Sequence, residues 1–201
     1  LERLPGDVPV HVASQAVLNA VAGFDLHRGV LALGRKPEPV EPDVLLDNLP
    51  ERAVAVVACG IGNHDNMGGL FRNAAAFGAG AVLLDRTCCD PFYRKAIRVS
   101  VGAVLRTPMA TGLDAEAMID LLQSKGFEVL ALAPSAEQTL AELKPGRRTA
   151  LLLGSEGPGL PRDIIARCRP VGIRMAGGFD SLNVAATSAV ALHHLTTAGA
   201  D

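Results

Sequence analysis

The sequence predicts an α/β fold, a mostly parallel sheet with helices on both faces. Two observations carry this reading. Short apolar runs of strand length alternate with helix-spaced segments from residue 53 to residue 196, the pattern of βαβ units whose strands are covered on both sides. Three glycine-rich loops with polar side chains directly follow apolar runs, after Cys59, Leu153 and Ile173. Parallel sheets bind ligands at the carboxyl ends of their strands.

The elements follow in order. Residues 8–13 read as a short strand, Ser14 opens a helix, and 30–33 is a second apolar stretch. Residues 34–43 are rich in proline and charge and read as a linker or extended loop. This places a domain boundary near residue 40, with 1–40 as an appendage and 41–201 as the main domain. Residues 53–59 form a β-rich apolar run, 67–77 has helical spacing, and 81–84 is apolar again. Residues 91–99 read as a helix with Pro91 in its first turn, and 103–106 as a strand. Asp114 caps a helix that runs through Ser124 and ends near Gly126. Strands at 127–132 and 149–153, a short helix at 161–168 and a last strand at 171–173 lead into a helix over 181–196 with Ser181 as its cap.

Composition narrows the function. The chain has 201 residues, 49% hydrophobic and 20% charged, enough to build a core. No apolar run reaches the roughly 18 residues of a membrane helix. The first residues have neither the basic start nor the apolar stretch of a secretion signal. The missing initiator Met suggests a trimmed chain or part of a longer one. The net charge of −2 excludes a broadly basic nucleic-acid coat and leaves room for a local patch. Aromatics are 3%, with no Trp and one Tyr, which argues against RRM or OB stacking sheets. Cys59, Cys88, Cys89 and Cys168 form no C-x-x-C pair, so reduced thiols in a cytoplasmic protein are expected. His and Cys lack zinc spacing, and no metal is expected.

The first loop, Cys59 to Arg72, holds Gly60, Gly62, Asn63, Asp65, Asn66, Gly68 and Gly69. Its Asn and Asp residues suit a helix cap. Arg72 is either a surface ion-pair partner or a clamp for phosphate, which its planar fork suits. Gly60-x-Gly62 after a strand, with Asp85 ending the next one, also raises a nicotinamide-dependent oxidoreductase. Asp65 occupies the third glycine position and would repel a pyrophosphate. In the second loop, Gly154-Ser155-Glu156-Gly157 is not a nucleophile elbow, because Ser155 stands one position too early. Glu156 is a solvated carboxylate or one held for a purpose. In the third, Ser181 and Asn183 are caps, or they face a ligand together with Met175, Gly177 and Gly178.

Together the loops resemble the motifs of SpoU/TrmH-type RNA ribose methyltransferases of the SPOUT superfamily. Asn63…Asn66…Gly68…Arg72…Phe77-Gly78 is similar to the first motif, Gly154-Ser155-Glu156-Gly157-Pro158-Gly159-Leu160 to the second, and Met175-Ala176-Gly177…Ser181-Leu182-Asn183-Val184 to the third. The resemblance covers roughly residues 53–197. It implies a C-terminal deep trefoil knot, a homodimer joined through the knot region, and S-adenosylmethionine as cofactor. By position, Leu153, Gly154, Gly157, Ile173, Met175, Gly177 and Leu182 would hold the cofactor. Arg72, Asn66, Glu156, Ser181 and Asn183 would form the catalytic set: Arg72 as phosphate clamp and electrostatic stabiliser before base, Asn66 orienting Arg72 or the ribose, Glu156 fixing the loop or the arginine. Residues 8–12 and 22–33 resemble the closing half of an L30e-like substrate-binding domain, which leans toward ribosomal over transfer RNA. Arg86, Arg94, Lys95 and Arg98, with Arg106, are candidate RNA contacts, and Arg28, Arg35 and Lys36 are candidates from the N-terminal arm. A non-catalytic RNA-binding protein has no evident need for Asn66, Arg72, Glu156, Ser181 and Asn183 together.

Overall fold

The computed structural model describes residues 5–26, 32–179 and 181–197. These residues divide into two compact units, 1–37 and 38–201. In the first, Ser14 caps helix α1 (Gln15–Ala22) by accepting from the Val17 amide, and Gly23 closes it in the left-handed conformation. The strand expected at 8–13 does not form, and Val12 is 93% exposed. The described residues of this unit hold no strand to pair with it, and a lone strand leaves its backbone groups unpaired. The stretch at 30–33 and Arg28 fall partly or wholly outside the described residues.

The second unit opens with helix α2 (Pro42–Asp47), which begins in the last two residues of the stretch read as linker. Pro42 stands in its first turn, and Leu45 and Leu46 are buried. Lys125 ties the helix down through Asp43 at 2.9 Å and Asp47 at 2.6 Å. Six strands follow: β1 (Ala53–Ala58), β2 (Ala81–Leu84), β3 (Met109–Thr111), β4 (Glu128–Leu132), β5 (Arg148–Leu153) and β6 (Arg169–Val171). They form one sheet in the order β3-β2-β1-β5-β4-β6, and every pair is parallel. The chain steps outward from β1 to β3 on one side, and β5 then returns to lie against β1. Ligands bind where the winding direction changes in this way, here the crevice beyond Ala58 and Leu153.

Helices α3 (His64–Ala76), α4 (Arg94–Val99), α5 (Ala115–Ser124), α6 (Arg162–Ala166) and α7 (Val184–Thr197) cover the sheet. Side chains alternate along β1. Val56 and Ala58 enter one core with Met67, Leu70 and Phe71 of α3 and Leu192 of α7. Ala55 and Val57 enter the other with Leu45 of α2, Ile119 and Leu122 of α5 and Ile164 of α6.

Four expectations need correction. The helix read over 91–99 starts only at Arg94, because Asp90 accepts from the Phe92 amide and holds Pro91 in a turn. Residues 103–106 contain a 3-10 turn, Ala103–Leu105, and the strand comes later, at β3. The last strand ends at Val171. Beyond it the Gly172 amide leaves the ladder to donate to Gln138 O. The last helix begins at Val184 with Asn183 as its cap, since Asn183 Oδ1 accepts from the amides of Ala185 and Ala186 at 3.0 and 3.2 Å.

Two glycines let α3 lie between its neighbours. A Cβ on Gly68 would sit 2.7 Å from the Ala96 carbonyl oxygen of α4, and one on Gly69 would sit 2.6 Å from Ala185 Cβ of α7. Gly68→Val should therefore lower stability by about 1–3 kcal/mol, the range for overpacking, read from urea unfolding.

Candidate active site

The site is built at the carboxyl ends of β1 and β5. The two strands stay together past their ends, where the Cys59 amide donates to Leu153 O at 2.9 Å. After β1 the chain turns through Gly60, whose amide donates to Asp85 Oδ1 at 3.1 Å. Asp85 also accepts from the Thr87 amide and hydroxyl, so its carboxylate staples two loops together. Asp65, the other residue of the dinucleotide reading, pairs with Lys95 at 2.6 Å. Neither is arranged to receive a ribose. Burial pushes the Cys59 thiol far up and the Cys88 thiol up to about 12, with the Asp85 carboxylate adding to both. These are packing groups, not nucleophiles.

Asn63 caps α3 by accepting from the Asp65 amide at 2.8 Å. This sets Asn66 in the first turns, 4% exposed, where the three loops meet. Its amide nitrogen donates to Glu156 Oε1 of the second loop. Its oxygen accepts from Asn183 Nδ2 of the third loop at 2.8 Å. The direction of this chain is chemically forced. An ionised carboxylate only accepts, so Asn66 must turn its nitrogen toward Glu156 and its oxygen toward Asn183. Asn183 then presents its nitrogen to Asn66 and its oxygen to the start of α7.

The second loop folds back on itself. A Cβ on Gly154 would come within 2.5 Å of the Gly159 carbonyl carbon and the Leu160 nitrogen. Gly157, at φ 85°, makes the reversal. The third loop passes over it, and between them lies a cleft of about 170 Å³. Of the expected cofactor residues, Leu153, Gly154, Gly157, Ile173, Met175 and Leu182 line this cleft, and Gly177 does not. Glu156 and Ser181 of the catalytic set also line it. The sequence reading missed Ala133 and Pro134, at the end of β4, and Thr187, whose hydroxyl lies 3.5 Å from Leu182 O.

Arg72 is not brought to the cleft. It is exposed on α3, is not among the residues lining the cleft, and makes no ion pair with another described residue. Glu156 fixes Asn66 rather than the arginine. Asn73, next to Arg72, was also missed. It donates to Ala185 O at 2.6 Å and to the buried Ser188 hydroxyl at 2.9 Å. Asn66, Gly69 and Asn73 thus form one stripe of α3 that fixes where α7 begins. Of the expected RNA contacts, Arg94, Lys95 and Arg98 share α4, with Lys95 paired to Asp65. Arg86 pairs with Asp114 at 3.8 Å, and Arg106 is exposed. Arg35 and Lys36 belong to the other compact unit.

Two measurements check this geometry. Asn66→Leu removes the bonds to Glu156 and Asn183, which are exposed enough to turn to water, and should cost about 0.5–1.5 kcal/mol per bond lost in urea unfolding. The double variant with Asn183→Ala should lose less than the two single variants summed. Iodoacetamide at pH 8 should label Cys89 ahead of Cys59 and Cys88 in the native chain, read by peptide mass spectrometry.

The SpoU rRNA Methylase family model matches residues 53–193. An uncharacterized tRNA/rRNA methyltransferase of Mycobacterium tuberculosis is 40% identical over 199 residues, covering 95% of this chain and 67% of that protein. The 23S rRNA (guanosine-2'-O-)-methyltransferase RlmB of Pectobacterium atrosepticum is 30% identical over 189 residues, 92% of this chain and 77% of that one. Among solved structures, an AdoMet-bound rRNA methyltransferase from Sinorhizobium meliloti shares the fold with a TM-score of 0.71 at 26% identity, over 80% of this chain and 60% of that chain. The parallel sheet, the junction of the three motif loops and these likenesses agree: the chain belongs to the SpoU rRNA methylase family.

Proposed function

We propose that this chain transfers a methyl group from S-adenosylmethionine to a ribose 2′-hydroxyl of RNA, with ribosomal RNA favoured over transfer RNA. The observation that carries the reading is the cleft between the second and third loops, with Asn66 tying both to the first. Its walls suit the cofactor: Leu153, Ile173, Met175 and Leu182 are apolar enough to enclose an adenosine, and the backbone around Gly154 comes close. S-adenosylmethionine would supply a methyl group on a positively charged sulfur, an electrophile with a good leaving group. The 23S ribosomal RNA named for the RlmB relative favours a ribosomal target.

The protein's own work is placement. A ribose hydroxyl is a weak nucleophile, so most of the gain comes from holding it in line and stabilising charge. Asn66 and Asn183 have their polar atoms engaged with each other, Glu156 and α7, so their role is to position the loops. Ser181 is exposed at the cleft and free to meet the target sugar. A guanidinium offers donors and no acceptor, and Arg72 stands open to solvent, which suits a clamp on the RNA phosphate next to the target. The wider reading takes residues 1–40 as part of an L30e-like substrate-binding segment plus linker, and 41–201 as the catalytic domain of a cytoplasmic homodimer. The match to the SpoU rRNA Methylase family supports a C-terminal trefoil knot.

Arg72→Ala should reduce methyl incorporation into ribosomal RNA by about a hundredfold or more and leave S-adenosylhomocysteine affinity unchanged by calorimetry. Undiminished turnover in that variant would remove Arg72 from the mechanism.

A further inference from the structure

Beside the junction of the loops lies an aromatic pair that none of the three motifs uses. His64, in the first turn of α3, stands with its ring centroid 4.3 Å from that of Tyr93, tilted by 43°. Tyr93 caps α4 through backbone geometry alone. Its side chain is 45% exposed, and its hydroxyl makes no hydrogen bond with any described residue. In a chain with 3% aromatic residues, the single tyrosine stands in the open. Around it stand Asp90 and Asp65 and three basic side chains. Helix α4 carries Arg94, Lys95 and Arg98; Asp65 pairs with Lys95, and Arg94 and Arg98 are exposed to solvent. An open ring face flanked by cations is what an unpaired nucleobase with its phosphates seeks: stacking is sequence-tolerant, and the arginines meet the backbone.

We propose that Tyr93, backed by His64, is a stacking platform for one unpaired base of single-stranded RNA beside the target nucleotide. The placement comes from the helix: His64 stands in the first turn of α3, the end of the helix from which Asn66 reaches the cleft loops. The inference rests on the proposed RNA substrate and adds where the flanking strand is gripped.

The composition supplies a clean test. With no Trp and only Tyr93, tyrosine emission reports this one position. Titrating the intact protein with a twelve-nucleotide oligoadenylate should quench the emission. Oligouridylate, which stacks weakly, should quench less at equal charge. Tyr93→Phe should keep the oligoadenylate affinity measured by anisotropy, and Tyr93→Ala should lose about fivefold or more. Unchanged emission with oligoadenylate, or equal affinity in Tyr93→Ala, would overturn the platform. Methyl transfer to ribosomal RNA, measured in parallel, keeps the two ideas apart. Normal transfer with unaltered emission removes the platform and leaves the activity. Normal quenching without transfer removes the activity and leaves the platform.

Discussion

A buried asparagine between a carboxylate and a second asparagine holds three separate loops to one point. Asn66 is nearly inaccessible, and both polar ends of its side chain are used, one by Glu156 and one by Asn183. The carboxylate acts as the anchor, because it alone in the chain cannot donate. It fixes the sense of every hydrogen bond up to the first amides of α7. Asn66 is the buried member, while Glu156 and Asn183 reach it from exposed loop positions, so its two hydrogen bonds draw the second and third loops onto the first. The cleft between the second and third loops is the space this arrangement leaves.

The network can exist only because backbone approaches backbone closely around it. Gly69 brings α3 against Ala185, and Gly154 brings the second loop against its own return at Gly159 and Leu160. Asn73 then locks α7 from the same side of α3 through Ala185 and Ser188. Both helices rest on the sheet face formed by Val56, Ala58 and Leu151. The order of strands thus has a chemical consequence. With β5 inserted beside β1, Glu156 arrives next to Asn66 although far from it along the chain.

Much of this was legible in the sequence. The apolar runs at β1, β2, β4 and β5 gave a parallel sheet, because strands buried on both faces have no polar alternation. By residue type alone, Asn66, Ser181 and Asn183 read as caps as readily as site residues; the resemblance of the three loops to the family motifs is what marked them, with Glu156, as a set. What failed depended on distance in space. That Asn183 caps α7 instead of Ser181 follows from its bond to Asn66, which no local preference reveals. Helix α2 hid in a proline-rich stretch, although Pro42 followed by Asp43 and two leucines is a helix start. Ala133 and Pro134 border the cleft only because β4 lies next to β5. Arg72 reads from position alone as a surface residue or a clamp; the resemblance places it at the site, and it is exposed on α3.

The central claim is that the three joined loops form a pocket for a sulfonium nucleoside. Titration calorimetry of the intact protein with S-adenosylhomocysteine, set against NADH under the same conditions, tests it most directly. The account predicts saturable binding of S-adenosylhomocysteine and none of NADH. Saturable NADH binding with no heat from S-adenosylhomocysteine would contradict it.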